Sequence, residues 1–422
     1  MRLAAFSRTP ALLVLFSFIL VMIDGYDMFI VSFVAPLVAH DLHLAANNIG
    51  AVFAAGLAGS MLGGLTLGVV ADRAGRRPVL IGALVFAGIM TVLCSQADSF
   101  RAFAALRFLT GFGLGGVLAA VVPLIAEYFS PEHRNRAVTL MFIGYPLGAV
   151  VGGIVTAVLI AHGWRSLFVG TGTVTLLLLP LALLMKETAG SKLDQRDHDR
   201  EAGTLGAKLS IVELFTEGRL WTTLTTSFGI FCLLLLTYLL NSWTPLIAVR
   251  LGFKPQTAAL CGVFLNLGGV VGALCSTLLV RRFGVFRLAA VMVSIGSLGI
   301  AFIGFAAYSA ASLFLVLFIS GVLVIGAQQN SPAMSVELYP RRMRAAGAGW
   351  QFAAGRFGSI LGPLIGGLLF SSGIAHETLF VLMAVPAVLA GGAYARVHYL
   401  LRSHHAIASP PTIEALRKGT LP

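Results

Sequence analysis

The stretch IDGYDMF, residues 23–29, sets Asp24 and Asp27 three positions apart inside an apolar run from about Ala11 to Val38. Two carboxylates at the centre of a long hydrophobic segment conflict with a soluble core. The surrounding chain removes the conflict. Of 422 residues, 58% are hydrophobic and only 11% charged, and the mean hydropathy is +0.92. Soluble domains carry roughly a quarter charged residues. A bilayer core takes about 20 apolar residues per helical crossing, and this chain supplies such segments again and again. The pattern predicts an all-α integral membrane protein with spans at 10–39, 48–71, 78–97, 101–129, 137–160, 165–186, 220–249, 257–280, 287–308, 311–339, 345–371 and 377–401.

The net charge of +12 is explained by where the basic residues fall. On the side that includes both termini lie 23 of the 29 lysines and arginines. Four more, Arg101, Arg165, Arg250 and Lys254, lie at the opposite face. The positive-inside rule then places both termini in the cytoplasm of a cell whose inner membrane holds the protein. The charge is thus topological, and nucleic acid is not an expected partner. Arg107 and Arg356 fall within spans and need a separate account. The connections are short except from Lys186 to Arg219, a polar segment of mixed charge that reads as a linker. The expected organisation is a six-helix bundle (1–186), a cytoplasmic linker (187–219), a second bundle (220–403) and a cytoplasmic tail (404–422), in a monomer surrounded by lipid. Cys94, Cys232, Cys261 and Cys275 are scattered within spans without metal-ligand spacing and read as small packing residues.

A shift of about half the chain brings the two halves into register. ADRAGRR (71–77) falls over VRRFGVF (280–286), so Arg73 meets Arg282 and Gly75 meets Gly284. EYFSPEHRNRA (127–137) falls over ELYPRRMRAAG (337–347), with Glu127 on Glu337. Six spans repeated in parallel and joined by a linker is a transporter architecture, with a site at the interface of two rocking bundles.

These segments resemble a known family. GVVADRAGRR (68–77) is similar to the signature between the second and third helices of the major facilitator superfamily. LRFLTGFGLGG (106–116) is similar to its fourth-helix motif, with Arg107 as the motif's arginine. Within the superfamily, DGYD (24–27), GYPLGAVVGG (144–153), GWRSLF (163–168) and RAAGAGWQFAAGRFGSILGPLIGG (344–367) resemble the aromatic acid:proton symporters. Two departures stand out. Ala119 and Ala120 occupy positions where members usually carry proline and asparagine, and Arg281 and Arg282 stand without an acidic partner. The resemblance implies uptake of an aromatic carboxylate with protons as the coupling ion and no bound cofactor. It also implies a conformational latch in which Asp72 and Glu127 meet the arginines of adjacent loops, Arg134, Arg136 and Arg344. Arg73, Gly75 and Arg76 of the same turn and Glu337 of the second half join that set.

The buried charges suggest roles of their own. Residues three apart on a helix are neighbours, so Asp24 and Asp27 share a face. Two carboxylates in a low-dielectric wall resist being ionised together, so at least one is expected to hold a proton at times. That is the property of an intramembrane relay. Proton coupling through Asp24, Asp27 and Arg107 is one reading; a static bridge to Arg107 is the other. Arg356, about eleven residues into its span, is costly there unless it meets an anion. A substrate carboxylate fits its planar fork; permanent pairing across the bundles is the alternative. Nearby spans offer Tyr26, Phe29, Tyr145, Tyr238, Asn241, Trp243, Gln328, Gln329, Asn330, Trp350 and Gln351, rings and amides suited to an aromatic substrate. Of these, Tyr26, Asn241, Trp243, Gln328 and Trp350 are expected to join Arg356 in the binding site.

Rival functions remain open at this level: proton-driven efflux, transport of a non-aromatic acid such as muconate or a sugar acid, or a transporter-like receptor for aromatic acids. An enzyme is not expected, since the sequence holds no metal cluster, nucleophile–base pair or cofactor motif. Gly111, Gly113 and Gly116 match a dinucleotide spacing, but no strand precedes them and they read as helix-packing residues. His198, His404 and His405 lack metal-like spacing.

Overall fold

The computed structural model describes residues 10–185, 212–216, 219–306, 309–340 and 343–408. Twelve helices in it are long and apolar enough to cross a membrane. The first half holds α1 (Pro10–Asp41), α2 (Ala46–Ala74), α3 (Arg76–Cys94), α4 (Phe100–Tyr128), α5 (Pro131–Leu159) and α6 (Trp164–Leu184). The second holds α7 (Leu220–Arg250), α8 (Pro255–Phe283), α9 (Val285–Ala306), α10 (Ala310–Leu338), α11 (Arg344–Ser371) and α12 (His376–Ala408). Helices are the natural solution here, because a backbone in lipid must satisfy its own N–H and C=O groups.

The repeat seen in the sequence is a repeat of joints. Gly75 and Gly284 both adopt positive φ, 102° and 76°, and each ends the second helix of its half. Gly163 and Gly373 do the same before the sixth helices, at 88° and 69°. Ser99 and Ser309 each cap the fourth helix of a half by accepting a hydrogen bond from a backbone N–H three residues on. The packing repeats as well. In the first half α1 packs on α5, α2 on α4 and α3 on α6; in the second α7 packs on α11, α8 on α10 and α9 on α12. Glycines allow the closest of these crossings. A Cβ on Gly111 would collide with the backbone of Gly56, so the glycines of α4 bring α2 and α4 into backbone contact.

The halves meet through two equivalent seams, α2 against α11 and α5 against α8, with α1 against α7 between them. The contacts gather toward the face away from the termini. There Phe53 lies edge-on to Trp243 at 6.0 Å, Gly50 lies against the Pro363 carbonyl, and Gly262 lies against the Phe33 ring. Ser32 of α1 donates to the carbonyl oxygens of Asn241 and Ser242 of α7, the latter at 3.0 Å. α10 is not a regular α-helix throughout: residues Gly321–Ile325 form a π-helical turn.

The structure differs from the sequence reading at the edges. α12 continues to Ala408, through His404 and His405, beyond the expected start of the tail at 404. A helix can carry a few polar residues past the membrane boundary, so hydropathy underestimates its end. Most of the proposed linker, with His198, lies outside the described residues, as does 409–422. One part of the linker is described and packed: Leu214 is buried, and Phe215 stands edge-on to Trp350 at 5.0 Å.

Candidate functional site

Near the middle of α1 the two aspartates of the opening heptapeptide have different surroundings. Arg107 of α4 donates from Nη1 to Asp27 Oδ2 at 2.9 Å and from Nη2 to the Asp27 carbonyl oxygen at 2.8 Å. Thr91 of α3 donates to the other carboxylate oxygen at 3.2 Å. Arg107 and Asp27 are 2% and 1% exposed. The pair therefore ties α1, α3 and α4 together inside the first half. A buried bridge of this kind is held by geometry, since the attraction must offset the loss of water from both ions.

Asp24 lies one turn away, is equally buried, and its Oδ1 has no hydrogen-bond partner. Arg356 of α11 and Arg107 both act on it electrostatically. Arg356 is half-buried. Its guanidinium makes no ion pair or hydrogen bond among the described residues and rests over the Phe352 ring, 4.8 Å from the centroid. Tyr145 of α5 and Tyr238 of α7 hold their hydroxyl oxygens 3.1 Å apart. Tyr145 feels the fields of both Asp24 and Arg356. Phe29 packs against both tyrosines, with centroids at 5.9 and 6.1 Å. Close helix packing fixes this group. A Cβ on Gly25 would overlap the Tyr145 carbonyl, and one on Gly148 would overlap that of Met22, so α1 and α5 touch backbone to backbone beside Asp24.

The structure thus assembles Asp24, Phe29, Tyr145, Tyr238 and Arg356 where the halves face each other. An acid without a partner, a guanidinium free to take an anion, and a wall of rings suit a small aromatic carboxylate. Several residues expected beside Arg356 lie elsewhere. Trp243 is fully buried, stacks on Phe370 at 4.6 Å and donates from Nε1 to the Pro363 carbonyl at 3.1 Å. It closes the α7–α11 contact at the face away from the termini. Trp350 donates to Ser227 at 3.0 Å and packs on Phe215, toward the termini. Tyr26 turns into its own half, against Gly152 and beside Thr156 and Thr171. Asn241 accepts from Asn266 at 2.7 Å and donates to the Thr237 carbonyl at 2.9 Å, satisfied within the second half. Gln328 is half-buried with its Oε1 unpartnered, three residues beyond the π-helical turn. The tyrosine pair and Phe29 were visible only as members of a wide aromatic set. Thr91 carried no signal beyond being a hydroxyl in an apolar helix.

The latch residues also arrange themselves differently. Arg76 Nη2 lies 2.6 Å from Glu127 Oε1 and 3.8 Å from Asp72 Oδ1, so both acids gather on one arginine of their own half. Arg134 and Arg136 are exposed and make no ion pair among the described residues, and Arg344 donates from Nε to the Tyr339 carbonyl at 3.1 Å. Arg73 and Glu337 are exposed. Gly75 supplies the positive-φ joint that brings Arg76 under α4. Arg76, four residues after Asp72 and one of the expected latch residues, is within reach of both acids.

Two six-helix halves related by a repeat, closed at one face, with charged and aromatic groups between them, define a membrane transporter. Residues 17–333 match the model of the Major Facilitator Superfamily. The chain is 32% identical to a gallate transporter of Pseudomonas putida over 94% of each chain. It is 30% identical to the 4-hydroxybenzoate transporter PcaK of Acinetobacter baylyi, covering 92% of this chain and 91% of that one. The benzoate transport protein of the same organism is 28% identical, covering 89% and 87%. Among solved structures, a bacterial homolog of the human lysosomal transporter Spinster, inward-facing and unoccupied, matches at TM-score 0.75 with 16% identity, covering 92% of this chain and 96% of that one. A D-xylose–proton symporter matches at TM-score 0.69 with 18% identity, covering 90% and 96%. The chain belongs to the major facilitator superfamily, in the same family as these aromatic acid transporters, and is a multi-pass membrane transporter rather than an enzyme.

Proposed function

We propose that this protein takes up an aromatic carboxylate together with protons by alternating access, from an inner membrane with both termini in the cytoplasm. The observation that carries the reading is Asp24, buried and unpartnered, in the field of Arg356, a half-buried cation with no ion pair or hydrogen bond of its guanidinium among the described residues. When Asp24 is ionised, Arg356 is attracted to it. A substrate carboxylate competes for the same guanidinium. A proton on Asp24 ends that competition, so proton and carboxylate enter the site together and the loaded site carries the charge of Arg356 neutralised once. With both bound, the halves can close over the termini face and open on the other, or the reverse. Asp27 and Arg107 hold α1 in place throughout, which divides the two aspartates by role. Relatives named for gallate, benzoate and 4-hydroxybenzoate support the aromatic acid.

One proton with one monoanion moves no net charge, so only the pH gradient drives uptake; each further proton would add about 2.3 kcal/mol per 100 mV. Proteoliposomes with an imposed pH gradient and radiolabelled benzoate or 4-hydroxybenzoate test this, with and without a potassium–valinomycin potential. Accumulation that follows the pH gradient and ignores the potential is the expected result. Accumulation against no gradient of protons, or uptake only of non-aromatic acids, removes the reading. Binding without accumulation identifies a receptor.

A further inference from the structure

The hydroxyls of Tyr145 and Tyr238 form a side chain to side chain hydrogen bond that crosses between the halves. Crossing bonds also run from Ser32 to backbone carbonyls, nearer the closed face. We propose that the Tyr145–Tyr238 pair is the specificity-determining element of the site, reading a hydroxyl on the substrate ring. The inference rests on the aromatic carboxylate reading above and deepens it to individual residues.

The chemistry of the pair supports this. Each phenol has one proton to donate and oxygen lone pairs to accept with. Bonded to each other, the two use one proton and leave the second, together with lone pairs, available to a third group. A ring hydroxyl is such a group, since it donates and accepts. Its insertion replaces one tyrosine–tyrosine bond with two bonds to the substrate. A ring without a hydroxyl cannot do this. If it separates the pair it leaves two phenols unpaired in a nearly dry site, and each orphaned group costs free energy. If it leaves the pair intact it gains nothing from it. Sites built to bond a hydroxyl reject analogues that lack one by much more than a missing methylene costs. Here the two phenols can still satisfy each other, so the discrimination is smaller, about tenfold.

The placement fits the same task. The pair stands beside Asp24 and Arg356, the groups proposed to handle the carboxylate, and Tyr145 feels both charges. Phe29 lies against both phenol rings and leaves their hydroxyl ends as the polar feature of an apolar wall. Tyr238 is 8% exposed and Tyr145 is half-buried, so the bond is partly shielded from water. The Tyr145 backbone is fixed by close contact with Gly25, next to Asp24. Because one tyrosine belongs to each half, a ring hydroxyl held between them bridges the halves.

The test is binding of benzoate, 4-hydroxybenzoate and 4-methoxybenzoate to the purified full chain by calorimetry. It is repeated for Tyr145→Phe, Tyr238→Phe and the double variant. In the wild type, 4-hydroxybenzoate is expected to bind about tenfold more tightly than benzoate, and the methoxy acid no better than benzoate. Each phenylalanine variant lowers the hydroxybenzoate-to-benzoate affinity ratio toward one, and the double variant adds little, because the two hydroxyls act as one unit. Benzoate affinity falls less than 4-hydroxybenzoate affinity in each variant. A ratio unchanged in both single variants overturns the proposal, as does an equal loss for both acids, which would make the pair a strut between the halves. If the variants do not fold, equal wild-type affinities for the hydroxy and methoxy acids overturn it as well. Absence of binding by all three acids refutes the aromatic carboxylate reading itself, whereas benzoate binding with no hydroxyl preference refutes only the role of the tyrosines.

Discussion

Asp24 and Asp27 lie one helical turn apart and are equally buried, yet only Asp27 has a guanidinium against it, at 2.9 Å. The difference separates a structural acid from a chemical one. Removing the partner of a buried ion leaves the other uncompensated, which costs about 3–5 kcal/mol. Asp27→Ala should therefore lower the thermal midpoint strongly, because Arg107 and Thr91 lose their acceptor together. Asp24→Asn breaks no bond of its own and should fold normally. In proteoliposomes it should still exchange labelled for unlabelled substrate across the membrane but fail to accumulate it. Equal destabilisation by the two substitutions would contradict the division.

Arg356 supplies the second half of that chemistry. Arg356→Ala should abolish high-affinity binding of the carboxylate, by a hundredfold or more, while Arg356→Lys should recover only part, since an ammonium cannot reproduce the bidentate fork. The thermal midpoint without substrate should change little, because the guanidinium makes no described ion pair to lose. Calorimetry on both variants separates this from a structural role, which would lower stability and leave the affinity of folded protein intact.

Close approach of α1 and α5 makes a third expectation. Overpacking a tight contact costs about 1–3 kcal/mol. Gly25→Ala and Gly148→Ala should each lower stability by that amount, because the added carbon meets backbone that cannot swing aside. Gly82 has nothing within 4 Å of an added Cβ, so Gly82→Ala should be neutral or slightly stabilising. Thermal unfolding of the three variants in one detergent makes the comparison.

The fold was legible because lipid simplifies the problem. A segment either supplies about 20 apolar residues or does not cross, so the helices and the half-chain repeat could be read from hydropathy and from Gly75 over Gly284. The charged residues of the site were legible for the same reason, since ions in apolar spans are rare and stand out. The aromatic residues were not. Tyr26, Trp243 and Trp350 lie on helices that pass the site, but which face a ring takes depends on helix rotation, and rotation depends on glycines that set the packing distance. Gly152 draws Tyr26 into the first half, and Pro363 and Phe370 take up Trp243. Within the latch set, that Arg76 lies within reach of both Asp72 and Glu127 is a fact of side-chain geometry that loop proximity in sequence does not convey.

The Arg76–Glu127 pair leads to a kinetic expectation. Its side chains are 15% and 28% exposed, so the bridge contributes no more than about 1 kcal/mol to stability. It ties the α2–α3 turn to the end of α4, both at the termini face. Glu127→Gln should leave substrate affinity within about twofold and change the turnover rate several-fold, as expected when a contact is made in one conformation and broken in another. Initial uptake rates at saturating substrate, set beside equilibrium binding, decide it. An affinity change with unchanged turnover would place Glu127 in the binding equilibrium instead.

Competition between Asp24 and the substrate for Arg356 has a signature in pH. When pH rises and Asp24 loses its proton, its carboxylate attracts Arg356 and the substrate must displace it. Affinity should fall as pH increases, by up to tenfold per unit where Asp24 titrates, while the substrate itself stays fully ionised. The sign follows from which species binds: the protonated protein takes the anion, so binding carries one proton in. Asp24→Asn mimics the protonated state at every pH, and its affinity should be high and flat across the range in which the wild type weakens. Proton uptake on binding, read from the buffer dependence of the calorimetric heat, should be near one for the wild type on the alkaline side and near zero for the variant. A wild-type affinity that does not vary with pH, or a variant that varies as the wild type does, would remove Asp24 from the coupling and leave the proton to some other group.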